Sequence, residues 1–195
     1  RLINIFAIPS EVFDEVTASP RSPGNWIVPV LLACVVGVVS TFIVLSNPAV
    51  MQNIREQQAK AFDKQVKAGK ISQEQADKAL EMVEKFSGPG MMKIFGSIAV
   101  VFYSAIRLFG WAFALWLLSL LVLRTRVDFL KLAEIVGLAM MIATLGTLVG
   151  LLLTINLGHQ TSTSLALLLR DFDGTRLGHL LLAAINPFES CFAIL

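Results

Sequence analysis

The chain has 195 residues, 55% hydrophobic and only 15% charged, with a mean hydropathy of +0.72. An average soluble domain is about 45–50% apolar and about 25% charged, and a core of this size cannot absorb such an excess. A soluble enzyme domain, a disordered tail and a secreted disulfide scaffold are thereby excluded, leaving an all-α integral membrane protein of a few spans. The net charge is +2, from 16 Lys+Arg against 14 Asp+Glu, so there is no basic field of the kind nucleic-acid binders carry.

The chain opens on Arg1 rather than Met and closes on Phe192-Ala193-Ile194-Leu195 in mid hydrophobic run, so it is expected to continue beyond both ends. Residues 1–25 read as a membrane-surface segment, with Leu2, Ile3, Ile5, Phe6, Phe13 and Val16 apolar. Ser10 as N-cap, with Asp14 and Glu15 in the early turns, suits a helix start there. The Ser- and Pro-rich patch Ser19 to Asn25 breaks it. No basic n-region leads a short apolar stretch with a cleavage site, so this is not a signal peptide.

Trp26 to Leu45 is 20 residues without a charge, enough to cross a hydrocarbon core of about 30 Å as a helix. The first span is therefore placed at about 26–45, with Trp26 as its interfacial anchor.

Residues 46–93 change character, with 8 Lys+Arg and 6 Asp+Glu among many Gln and Ala. Two amphipathic helices fit, joined at Gly69-Lys70 into an antiparallel hairpin outside the membrane. The first carries Val50, Ile54, Phe62 and Val66 on one face; Ser72-Gln73-Glu74-Gln75 is a capping box for the second, which carries Ala76, Leu80, Val83 and Phe86. Gly88-Pro89-Gly90 stops it. A unit this small has little stability alone and must lean on the membrane, another copy or a partner. Its apolar positions Ile54, Phe62, Val66, Leu80, Val83 and Phe86 are the candidate partner contacts.

The second span is placed at 97–123, interrupted only by Arg107. Counted back from the turn at Arg124, Arg107 falls within about a turn of the opposite surface, where it can snorkel to headgroups; the competing reading is an intramembrane cation on a transport path. Arg124 to Lys131 is a tight basic turn, and the third span follows at 132–154. Glu134, one turn inside it, is expected to face Arg126 or Lys131; by the same count it and Arg107 lie near opposite faces of the bilayer. Gly146 and Gly150 form a G-x-x-x-G that lets a neighbouring helix approach closely, within the bundle or across a dimer.

From Asn156 to Pro187 the chain is a mixed connector, with apolar pieces at Leu165–Leu169 and Leu177–Ile185 too short to span. Asp171 and Asp173 before Gly174 read as a capped turn, since the rest of a calcium-loop pattern is missing. Phe188 to Leu195 opens a fourth span. Orientation follows the short turn with Arg124, Arg126 and Lys131, which places that turn and the N-terminus in the cytoplasm and the hairpin outside.

Chemistry-bearing motifs are missing: no G-x-S-x-G, H-E-x-x-H, Walker A or G-x-G-x-x-G occurs. His159 and His179 both lie in the connector and read as solvated or interfacial; Cys34 and Cys191 read as small buried hydrophobes. No catalytic, metal or cofactor residues are assigned. The expected role is a non-enzymatic membrane scaffold or accessory subunit acting through other membrane proteins or itself in the cell membrane. The alternative is a small transporter or channel component, on the strength of Arg107 and Glu134 as membrane-embedded charges.

The order of these pieces resembles the Yip family of membrane proteins, named for interaction with Ypt/Rab GTPases, and in particular its bacterial members. The resemblance is carried by Phe6-Ala7-Ile8-Pro9-Ser10-Glu11-Val12-Phe13 before the first span, Asn25-Trp26-Ile27-Val28-Pro29 at its start, and the Gln- and Lys-rich insert with Ile71-Ser72-Gln73-Glu74-Gln75-Ala76. Trp116 through Lys131 and Ile185-Asn186-Pro187-Phe188 continue it. It implies five spans, the fourth incomplete here. The acidic, tyrosine-bearing tail of eukaryotic members has no counterpart in residues 1–25, so no residue is assigned to a Rab-type GTPase.

Overall fold

The computed structural model describes residues 1–86, 88–157, 163–164 and 177–194, with the side chains of 83–86, 89, 179 and 180 outside that set. Among the described residues the regular structure is all helical: a 3₁₀ turn at Asn4–Phe6, then α1 Pro9–Ala18, α2 Gly24–Ser46, α3 Pro48–Lys67, α4 Gln73–Phe86, α5 Pro89–Leu121, α6 Phe129–Leu157, α7 Leu177–Ala184 and α8 Pro187–Ile194. Three of these are long and apolar enough to cross a membrane: α2, α5 from Gly90, and α6.

Local chemistry sets the element ends. At the start of α1 the N-cap position is held by Ile8, with Pro9 in the first turn, so Ser10 is not the cap its sequence position suggests. Proline's missing N–H costs nothing among the orphan donors of a first turn, and its φ is already helical. Pro48 does the same for α3, where Asn47 Oδ1 accepts from the Ala49 N–H at 3.0 Å. α3 ends in a Schellman motif around Gly69 (φ 67°): the Gly69 N–H donates to the Val66 carbonyl and the Lys70 N–H to the Gln65 carbonyl. The capping box forms as expected, with Gln75 N–H to Ser72 Oγ at 3.2 Å and Ser72 N–H to Gln75 Oε1 at 2.9 Å.

α6 is the central helix of the bundle. Leu132, Ala133, Val136, Ala139 and Met140 of α6 form one buried cluster with Leu108 and Ala112 of α5 and Phe192 of α8. The small residues let backbones come close: a Cβ on Gly137 would stand 2.6 Å from Trp26 Cα, which seats the start of α2 directly on α6. α5 runs antiparallel to α2, with Val100 against Gly37 and Gly96 against Thr41.

The N-terminal segment lies against the outer face of α6, where Ile5, Val12 and Val16 are buried with Leu138. Ile3, Phe6 and Ile8 remain exposed, at 82%, 46% and 40%. An amphipathic segment with apolar residues left outward at the level of a span's end is suited to the lipid interface.

Candidate functional site

Two charged clusters stand inside otherwise apolar packing. The first is built on Glu134, 1% exposed, whose carboxylate accepts from the Ser22 N–H at 2.9 Å and from Asn25 Nδ2 at 2.8 Å. Lys131, one turn back on the same helix, brings Nζ to 3.4 Å. Lys131 Nζ also donates to the Pro20 carbonyl at 3.3 Å, so the break between α1 and α2 is tied to α6 at several points. The partner expected from the sequence, Lys131, is present; the two shorter bonds come from residues more than a hundred positions away, which local spacing could not indicate. The Arg21–Asp128 ion pair closes the same end of the bundle.

The second cluster joins α5 to α8. Arg107 Nη1 and Nη2 donate to Glu189 Oε1 and Oε2 at 3.1 and 2.5 Å, a bidentate fork, and the guanidinium lies 4.4 Å from the Phe192 ring centroid. The Arg107 side chain is 12% exposed. The snorkelling expectation gives way: the guanidinium turns inward to a carboxylate rather than outward to headgroups.

Its depth differs too. Phe109, two residues on, packs edge-to-face on Trp26 at 5.8 Å, and Trp26 adjoins the Asn25 that binds Glu134. Arg107 and Glu134 therefore occupy the same half of the bundle, not opposite faces. The count back from Arg124 fails because α5 overhangs: opposite Gly37 it is already at Val100, so its last turns project beyond the start of α2. The pair remains separate because each charge has its own partner.

Gly146 is buried against α8, where a Cβ would lie 2.7 Å from Phe188 Cβ and Cγ; Gly150 lines a cavity one turn away. In the hairpin, Phe62 and Val66 of α3 face Ala76 and Leu80 of α4 across a groove of ≈320 Å³. Phe62, Val66 and Leu80 are half-buried there, as is Ile54 one turn and more away along α3. The side chains of Val83 and Phe86 lie outside the described residues, as do His159, the 165–169 piece, Asp171, Asp173 and the His179 side chain. Cys34 is only partly buried and Cys191 is exposed, so neither is the buried hydrophobe expected.

Two cavities flank the second cluster. One of ≈400 Å³ lies between α2, α5 and α6 and includes Ser104 and Arg107 in its wall; the other, ≈540 Å³, lies between α2, α6 and α8 and includes Asn186 and Glu189. Ser40, Val44, Ala143 and Thr147 belong to both walls. Of these polar groups the sequence pointed to Arg107 alone. Glu189 is a lone carboxylate in an apolar run, a signal that was available; Asn186 stood out only as part of the family-like Ile185 to Phe188 stretch, and Ser40 carried no signal.

The fold defines a polytopic, all-α membrane protein, in which a buried polar cluster ties the start of α2 to α6 and a partly exposed ion pair ties α8 to α5. The Yip1 domain family matches residues 3–189, and the chain belongs to that family. No match was found among curated proteins or among solved structures.

Proposed function

We propose that this protein is a non-enzymatic membrane scaffold or accessory subunit, acting through protein–protein contacts within an assembly of the cell membrane. The observation that carries this reading is the hairpin Pro48–Phe86: it leaves the bundle at Asn47-Pro48, packs across its own seam, and leaves Phe62, Val66 and Leu80 half-buried around an open groove. A small helical pair with an incompletely covered apolar seam gains stability by adding a partner surface. The exposed cations Arg21, Arg124 and Arg126 gather at the end of the bundle where α1 lies, which supports a cytoplasmic N-terminus and an external hairpin. Mild detergent extraction followed by native mass analysis tests the role; a monomer with no associated protein rejects it. Reactivity of a cysteine placed in the hairpin towards a membrane-impermeant reagent in whole cells tests the orientation.

A second reading, a small transporter or channel component, draws on the two polar-walled cavities beside Arg107. It requires a solute flux in proteoliposomes that Arg107→Ala abolishes.

A further inference from the structure

We propose that the larger cavity, between α2, α6 and α8, binds the primary ammonium of a zwitterionic lipid headgroup of the phosphoethanolamine class. The inference is independent of the scaffold reading and rests on the inventory of the cavity wall.

The wall is rich in acceptors. Thr147 donates its hydroxyl proton to the Ala143 carbonyl at 3.1 Å, which leaves its oxygen as an acceptor. Ser40 Oγ, in the same wall, is buried with no hydrogen-bond partner among the described residues. Glu189 adds a carboxylate whose side chain is 48% exposed, so it retains acceptor capacity beyond the two bonds from Arg107. Asn186 Oδ1 is already used by the Phe188 N–H at 3.1 Å, which keeps the Asn186 amide nitrogen for a phosphate oxygen. These acceptors share one wall, which suits a ligand with several N–H donors.

Charge selects among such ligands. Arg107 already neutralises Glu189, so a bare ammonium would leave one uncompensated positive charge in apolar surroundings, which is strongly unfavourable. A zwitterion brings its own phosphate. A choline headgroup has no N–H to offer, and an anionic glycerol headgroup, whose hydroxyls can donate, adds a negative charge that the neutral Arg107–Glu189 pair does not balance. The volume, ≈540 Å³, lies in the range of about 300–1,000 Å³ usual for ligand pockets. The wall runs from Ala143 in mid-helix to Thr154, one turn from the end of α6 at Leu157, so a lipid of the leaflet on the hairpin side reaches it without crossing the bilayer.

The test uses the full chain, delipidated in detergent and titrated by native mass spectrometry with phosphatidylethanolamine, phosphatidylcholine and phosphatidylglycerol of identical acyl chains. Retention of the ethanolamine lipid is expected to exceed that of the other two by about tenfold, the worth of one or two net hydrogen bonds. Ser40→Ala and Thr147→Val should each lower it towards the choline level while helix content and melting temperature stay unchanged. Equal retention of ethanolamine and choline lipids overturns the proposal, as does preference for the glycerol lipid or retention unchanged in both variants. Displacement of the lipid by equimolar free phosphoethanolamine overturns the lipid as the source.

Discussion

Arg107 and Glu189, 82 positions apart, meet in a two-point fork at 3.1 and 2.5 Å and clamp α8 onto α5. The guanidinium also covers Phe192, so one side chain joins charge pairing to apolar packing. Removing one member of such a pair strands the other charge away from water, whereas replacing both is far milder. Because Glu189 is 48% exposed, Glu189→Ala is expected to destabilise the protein by about 1 kcal/mol, less than for a fully buried pair, and Arg107→Met/Glu189→Leu by less than either single change. A double-mutant cycle by chemical unfolding in detergent measures the coupling; additive single effects would refute it.

Glu134 ties the chain break before α2 to α6 through Ser22 and Asn25. Glu134→Ala leaves the part-buried Ser22 N–H and the buried Asn25 amide without their acceptor and takes from Lys131 its counter-charge, leaving it the Pro20 carbonyl, at about 2 kcal/mol. Glu134→Gln keeps one acceptor oxygen and should cost about 1 kcal/mol. Thermal unfolding followed by helical circular dichroism ranks the two, and equal losses would count against this account.

Gly146 and Gly110 make a contrasting pair. A Cβ at Gly146 meets Phe188 at 2.7 Å, so Gly146→Ala must push α8 outward and is expected to cost about 1–3 kcal/mol. Nothing lies within 4 Å of a Cβ at Gly110, and Gly110→Ala should raise stability by about 0.5–1 kcal/mol through the helix preference alone. Melting temperatures of opposite sign relative to the parent are the expected result.

The hairpin has its own test. Ser72→Ala removes the acceptor of the Gln75 N–H and should cost α4 about 1 kcal/mol, seen as roughly fivefold faster amide exchange confined to the hairpin. Exchange that accelerates equally in α2 and α6 would mean that the hairpin and bundle unfold as one unit.

At the N-terminus, the hydrogen bond from Arg1 at 2.8 Å holds the Glu15 carboxyl below the usual carboxylate range. A carboxyl with a depressed folded value stabilises above its unfolded value, and loses that contribution as pH falls through the folded one. Acidification into and below the carboxylate range should therefore loosen the 3₁₀ turn from α1. Glu15 is exposed and Arg1 half-buried at the surface, so the effect is small and weakens with salt. Amide exchange of residues 4–8 across that range, in parent and Glu15→Gln, checks it; a pH effect that persists in the variant would assign it elsewhere.

Much of the fold was legible because its causes are local. The charge-free run from Trp26 to Leu45 is itself the signal for α2, and Gly69, Ser72 and Gln75 act on backbone groups within a few residues of themselves. Ser10 misled because Pro9, one position earlier, already satisfies the first turn without a polar cap. Glu189 escaped notice because its meaning depends on Arg107, and nothing between them in the chain announces the pairing.

The amino-acid sequence by itself determined that this is a helical membrane protein, which helices are long and apolar enough to cross a bilayer, where the hairpin turns and caps, and which family layout it follows, since hydropathy, helix rise and capping operate over a few residues. Only the tertiary structure decided the depth of Arg107, the partners of Glu134 and the walls of the two cavities. Those depend on the axial offset between helices, with Val100 against Gly37 and Gly137 against Trp26, and that offset comes from side chains interlocking across the bundle rather than from the length of any one apolar run.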